Sequence, residues 1–252
     1  IRYIDVNPKN MEIIYTSPEP ILNTGEFSCF DEDGVVPSSI INIGDEKYLY
    51  YFGWQKTFSN GYMLLCGLAI SRDNGKTFKR FSKTPLLERS DREPFQRSTV
   101  SVLRDNNIFR MWYSSGVSWT EFNGKPCPKY LIRYAESTDG IKWNHTDKIC
   151  IDFLDDDEFG IARPWVINED GIYKMWYSIR RKSIPYRLGY AISKNGLDWE
   201  RRDQDVGITV SDKGWDSQMI CFNSVVKIEK EYHMFYNGNK HGVDGFGRAI
   251  LH

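Results

Sequence analysis

The stretch Ile172–Trp199, IYKMWYSIRRKSIPYRLGYAISKNGLDW, decides the fold. Ile172–Ser178 alternates bulky apolar and polar side chains and is rich in aromatics, as a strand on a pleated surface requires. Leu188–Ser193 is a second such run. Lys194-Asn195-Gly196 reads as a tight turn, because Asn and Gly tolerate positive φ. The same phrase returns at Ile108–Trp143 (IFRMWYSS, then LIRYAESTDGIKW) and at Tyr48–Phe78 (YLYYFGW, then CGLAISRDNGKTF). A shortened copy runs from Tyr232 to Ile250. With Phe52, Tyr113, Tyr177 and Tyr236 taken as equivalent, the period is about sixty residues. Self-similarity at this length, built from short strands, marks a radial β architecture.

Working outward, each repeat opens with an innermost strand. These are expected near residue 33 (VVPSSIIN), residue 95 (FQRSTVSVLRD), residue 160 (GIARPWVINED) and residue 218 (QMICFNSVVKI). Ile1–Asp5 (IRYID) matches Ile132–Glu136 (IRYAE), so residues 1–30 read as the outer half of a blade. The expectation is an all-β chain, one domain over 1–252, forming a five-bladed β-propeller with the first blade incomplete at the N-terminus. Loops are expected from Trp54 to Gly61 and from Gly116 to Lys129.

Composition narrows the function classes. The 252 residues carry a net charge of −1, which argues against non-specific nucleic-acid binding. No apolar run reaches the roughly 18 residues of a membrane-spanning helix. Five cysteines, with no CxxC and no Cys/His cluster, indicate neither a disulfide framework nor a zinc site. No metal or cofactor is expected, and reduced cysteines fit a cytoplasmic location. No signal peptide is visible, although a chain that begins at Ile1 rather than Met leaves an upstream segment open. Aromatics make up 15% of the chain: most suit strand packing, and the few in loops suit sugar stacking.

Propeller geometry sorts the side chains. The turns Ser71–Phe78, Ser137–Trp143 and Ser193–Trp199 share one face, and their Ser/Asp side chains and glycines are local turn chemistry. The opposite face collects the starts of the inner strands, where carboxylates cluster: Asp31, Glu32 and Asp33; Asp91 and Glu93; Asp155–Glu158; Asp212 and Asp216. Converging carboxylates with aromatic walls are what glycoside cleavage needs, one protonating the leaving oxygen and another activating water or attacking carbon. The catalytic candidates are Asp33, Glu93, Glu158 and Asp216. The candidate substrate contacts are Trp54, Arg97, Trp119, Arg163, Arg180, Arg187, Asn223 and His241. The arginines suit a carboxylate or phosphate on the substrate. They equally suit a structural network with the junction carboxylates.

The repeated (M/F)xY(S/N) followed by YAxSxDGxxW, with acidic inner-strand starts, resembles the five-bladed β-propeller glycoside hydrolases of families 43, 32 and 130. That resemblance implies action on an oligosaccharide, with an Asp base, an orienting Asp and a Glu acid on successive inner strands. Carried over, Asp33 is a base or orienting residue and Glu158 an acid. The WxNDPNG phrase of family 32 is absent, and Arg163-Pro164 stands in ARPW without the Asp of its RDP triplet. Alternatives are a non-catalytic carbohydrate-binding or protein-docking propeller and a glycoside phosphorylase.

Overall fold

The computed structural model describes residues 1–58 and 61–251. Ser59 and Asn60, inside the expected 54–61 loop, lie outside the described residues. The chain is all-β: seventeen strands and two short 3-10 turns, at Asp203–Asp205 and Asn239–Gly242, among the described residues. Among the described residues no helix is long and apolar enough to cross a membrane. The five cysteines are unbridged.

Two compact units are distinguished. The first comprises residues 1–90 and 96–99. It holds a two-stranded ribbon, β1 (Ile4–Val6) with β2 (Ile13–Thr16). It also holds an antiparallel meander of β3 (Gly34–Ile43), β4 (Glu46–Thr57), β5 (Gly61–Ser71) and β6 (Lys79–Arg80). Leu22, Phe30, Leu49, Tyr51, Leu65, Ala69 and Phe78 form its core. The expected loop after Trp54 is largely strand, because β4 runs on to Thr57.

The second unit comprises residues 91–95 and 100–252. It contains the end of β7 (Arg97–Asp105), then β8 (Ile108–Phe122), β9 (Lys125–Ser137) and β10 (Asn144–Ile151). Next come β11 (Glu158–Glu169), β12 (Ile172–Arg181), β13 (Arg187–Ser193) and β14 (Glu200–Arg201), and last β15 (Cys221–Ile228), β16 (Glu231–Asn237) and β17 (Phe246–Leu251). Within each group the strands pair antiparallel in sequence order. One parallel contact, Gly160 to Tyr130, links β11 to β9. Gly160 is required there: a Cβ would sit 2.6 Å from the Tyr130 ring.

Two expectations change. The loop expected at 116–129 is a β-ribbon, since β8 and β9 stay paired from Gly116↔Tyr130 out to Phe122↔Lys125. Asn123 and Gly124, at φ 52° and 71°, make its two-residue turn, which matches strand twist. The repeat register also moves by one. Strand pairing aligns Leu49↔Ala69, Met111↔Ala135, Met175↔Ala191 and Met234↔Ala249, so Tyr51 rather than Phe52 is the counterpart of Tyr113, Tyr177 and Tyr236. A one-residue slip in a strand exchanges the two faces, so the correction decides which side chains are equivalent.

The turns at the other end of the repeats are self-contained. The Ser71 hydroxyl accepts from Gly75 N–H at 2.8 Å, and Asp73 accepts from the Thr77 backbone N–H at 2.9 Å. Ser137 with Asp139, and Ser193 with Asn195, repeat that geometry.

Candidate functional site

Three junction carboxylates answer to one rule. The Tyr51 hydroxyl donates to Asp31 at 2.9 Å, Tyr113 to Glu93 at 3.0 Å and Tyr236 to Asp216 at 3.0 Å, each pair being 20 residues apart. All three carboxylates are buried. Each fastens the residues before an inner strand to the second strand of the same repeat. Arg80 adds an ion pair to Asp31 at 2.7 Å, and Ser115 a hydrogen bond to Glu93 at 2.6 Å.

Glu158 is fastened differently. It is fully buried, and Arg201 donates to both of its oxygens, at 2.8 and 3.0 Å. Arg181 donates at 2.6 Å and the Leu154 N–H at 2.9 Å. Tyr177, the corresponding tyrosine, donates instead to Asp203 at 2.6 Å. A buried carboxylate bound on every side is structural, because it has neither access to a substrate nor a free lone pair to offer. In this arrangement Glu158 ties Arg181, Arg201 and the Leu154 backbone together. Glu93 and Asp216 are likewise buried and held by their tyrosines. An arginine–carboxylate network is present, and Arg80, Arg133, Arg181 and Arg201 take part in it.

Asp33, in the first unit, differs. Its carboxylate keeps 23% of its side-chain surface and accepts from the Lys56 backbone N–H at 2.7 Å, with the Lys56 ammonium at 3.3 Å. The Lys56 N–H, foremost, holds its pKa below the usual carboxylate value, so it is an anion at neutral pH. In the same unit Trp54 is half-buried and stacks on Tyr62 at 4.6 Å. Arg97 is buried and donates to the Glu88 carbonyl.

The second unit gathers a cationic and aromatic cluster. β11 and β15 each carry a bulge near their start, between Ala162 and Trp165 and between Cys221 and Ser224. Each bulge holds a non-glycine residue in the left-handed region, Arg163 at φ 54° and Phe222 at φ 57°. Such residues are uncommon and cost energy, and bulges re-aim side chains. These two meet: the Arg163 guanidinium lies 4.9 Å above the Phe222 ring. The Ser178 hydroxyl, accepting from Phe222 N–H at 2.9 Å, fixes the second bulge.

Around that pair, Tyr186 stands edge-on to Phe222 at 5.7 Å, and His241 stacks on Phe222 at 5.7 Å and 22°. Arg180 lies over Phe159 at 4.6 Å, Phe122 at 5.8 Å and Tyr186 at 6.0 Å. Phe122 comes from the tip of the β8–β9 ribbon and contacts Phe159 at 5.1 Å. The Tyr186 and Tyr130 hydroxyls are 3.3 Å apart.

The electrostatics follow from enclosure. Burial pulls the Arg163 guanidinium down to about 10, still a cation at neutral pH. Burial, then Arg180, lowers the His241 pKa below 6.5, so its ring is neutral at pH 7. Burial, then Tyr130, raises the Tyr186 hydroxyl well above its usual value and keeps it a proton donor. Guanidinium groups held against ring faces, beside neutral hydroxyls and an imidazole, suit a polar ligand with apolar ring faces and an anionic group.

Arg163, Arg180, Asn223 and His241 thus belong to one neighbourhood, with Asn223 adjoining Phe222 in the bulge. Arg187 does not take part in the same way: its guanidinium donates to the carbonyls of Pro185, Tyr186 and Gln218, at 2.9–3.2 Å, and straps the Tyr186 segment to the lead of β15. Trp119 lies on the ribbon, edge-on to Phe95 at 6.3 Å. Sequence reading missed Phe222, Phe159 and Phe122. The Asn123-Gly124 turn was a readable signal for the ribbon that carries Phe122, whereas nothing in the sequence marked a phenylalanine at positive φ. Among the described residues no group of three His, Cys, Asp or Glu side chains is gathered as for a metal ion.

No protein-family model matches the chain. Solved structures of similar fold include glycoside hydrolase and phosphorylase propellers. A glycoside hydrolase superposes at a TM-score of 0.74, with 15% identity, over 97% of this chain and 76% of its own. A thermostable family-43 glycoside hydrolase does so at 0.63, with 20% identity, over 85% and 69%. A structure from the GH130 family of mannoside phosphorylases, which contains glycoside hydrolases that target β-1,2 mannosidic linkages in Candida mannan, does so at 0.60, with 17% identity, over 85% and 65%. In sequence, a 1,2-β-oligomannan phosphorylase of Thermoanaerobacter sp. (strain X514) is 30% identical over 150 residues, 56% of this chain and 48% of that protein. The uncharacterized protein Rv1502 of Mycobacterium tuberculosis (strain ATCC 25618 / H37Rv) is 37% identical over 240 residues, 95% of this chain and 79% of that protein. On that extent of identity, the chain belongs to the family of Rv1502.

Proposed function

We propose that the chain is a glycan-active enzyme acting on an oligosaccharide that carries an anionic group. The observation that carries this reading is the contact of Arg163 with Phe222, two left-handed bulge residues on separate inner strands. Strain of that kind is kept where a site needs side chains aimed against the regular alternation of a strand. Arg163 and Arg180 supply planar forks for a carboxylate or phosphate, and Phe222, Tyr186 and Phe159 supply ring faces for a sugar. The fold shared with glycoside hydrolase and phosphorylase propellers supports the class of ligand. We assign the chain to the five-bladed form, with β1–β2 as the outer half of a first blade.

Asp33 is assigned as the base of the reaction, because it is held ionised and stays partly open to solvent. Binding without turnover is a second reading, favoured by the enclosure of Glu93, Glu158 and Asp216. The test is incubation with oligogalacturonides and β-1,2-mannobiose, with and without inorganic phosphate, monitoring reducing sugar and sugar 1-phosphate. The expected result is product release from at least one substrate, abolished by Asp33→Asn and weakened by Arg163→Ala. Phosphate dependence assigns phosphorolysis. Binding with no product under either condition replaces the enzyme reading by the second one.

A further inference from the structure

Asn223 is 4% exposed, and among the described residues neither its amide nitrogen nor its amide oxygen has a hydrogen-bond partner. A buried amide left unpaired is destabilising, because it gives up its hydrogen bonds to water without replacing them. Its place in the chain gives that cost a reason. Asn223 follows Phe222 in the bulge of β15, the two residues lying between the paired positions Cys221↔Asn237 and Ser224↔Phe235. The strand therefore departs from its ladder where the Phe222 ring meets Arg163, Tyr186 and His241.

From this we infer that Asn223 is a specificity-determining residue that reads a pair of adjacent hydroxyls on a sugar ring stacked against the Phe222 cluster. The inference rests on the glycan reading above and adds the group that selects the sugar. An amide suits the task, since its NH₂ donates and its oxygen accepts, matching two vicinal hydroxyls of which one accepts and the other donates. A site built to bond hydroxyls rejects analogues that lack them, because the buried amide is then left unpaired. His241, the exposed member of the cluster, stacks on Phe222, the chain neighbour of Asn223.

The test pairs a protein variant with a ligand variant. Binding of methyl mannoside, methyl galacturonide and their 2-deoxy and 3-deoxy analogues is measured by saturation-transfer NMR and titration, for wild type and for Asn223→Leu. The wild type is expected to prefer one parent sugar over a deoxy analogue by about tenfold or more. Asn223→Leu is expected to lose that preference and to melt no lower than wild type, because no internal hydrogen bond is removed. Equal preference in both proteins overturns the inference while leaving the glycan reading intact. A lower melting temperature restored by Asn223→Gln, with binding unchanged, makes the amide structural and also overturns it. Absence of binding by the wild type to every sugar overturns the inference and the reading together.

Discussion

The hydroxyl of Tyr113 donates to the buried carboxylate of Glu93 at 3.0 Å, across 20 residues of chain. The same bond at the same separation joins Tyr51 to Asp31 and Tyr236 to Asp216. Tyr236→Phe is expected to destabilise the fold by about 1–3 kcal/mol, the cost of stripping a buried acceptor of its donor. That is roughly 2–12 °C in melting temperature for a chain of this size. Calorimetry measures the loss, and glycan binding per folded molecule is expected to stay at the wild-type level. Unchanged stability removes the anchoring role from Asp216.

Glu158 holds a larger share, because its charge is wholly buried between Arg181 and Arg201. Arg201→Leu leaves that carboxylate with one of its two arginine partners and removes the ion pair to Asp203, which keeps its bond from Tyr177. The expected cost is about 3–5 kcal/mol, read as a lower denaturant midpoint in equilibrium unfolding. A variant that unfolds at the wild-type midpoint contradicts the anchor.

At residue 222 the usual ranking of small residues is expected to reverse. In an ordinary strand Gly is less stable than Ala by roughly 0.5–1 kcal/mol. At φ 57° the alanine Cβ clashes and glycine does not. Phe222→Gly and Phe222→Ala lose the same ring, so their difference isolates the backbone, and Gly is expected to be the more stable by roughly 1 kcal/mol. Urea unfolding of the two variants side by side decides it.

His241 gives the pH dependence. Its folded pKa lies below the unfolded value of 6.5, through burial first and Arg180 second. The neutral ring is the form that suits the fold, so its contribution is intact above pH 6.5 and is lost as pH falls through the lowered folded value. His241→Gln is expected to melt less steeply with acidification below pH 6.5 than the wild type does. The difference between the two melting curves, taken from pH 7.5 to 5, is the measurement. Parallel curves remove the effect of partial burial and Arg180 on His241.

Substitution of the guanidinium tests the ligand. Arg163→Lys keeps a positive charge but loses the planar fork and the flat stacking on Phe222. Affinity for an anionic oligosaccharide is expected to fall about tenfold or more, with a smaller change for a neutral one. Titration calorimetry with an oligogalacturonide and with β-1,2-mannobiose separates the two.

The strand phrases, their tight turns and the all-β class were legible in the sequence, because alternation, Asn-Gly turns and a period are local properties of a chain. The 20-residue spacing of Asp31–Tyr51, Glu93–Tyr113 and Asp216–Tyr236 was legible too, once Tyr51 replaces Phe52 as the repeat tyrosine. That register depends on cross-strand pairing such as Leu49↔Ala69, which a single repeat does not reveal.

At Ile172–Trp199 the sequence by itself determined strands, a turn and a cluster of basic residues. Tertiary structure decided which of those residues pair with a buried carboxylate and which lie on aromatic rings. Arg181 and Arg180 are neighbours in the chain, yet Arg181 pairs with buried Glu158 and Arg180 lies on the rings of Phe159 and Tyr186. The cause is the alternation of a strand, which sends adjacent side chains to opposite faces. Whether a carboxylate or an aromatic ring waits on each face depends on residues distant in sequence. The bulges at Arg163 and Phe222, which bring those two side chains together, belong to the same class of fact.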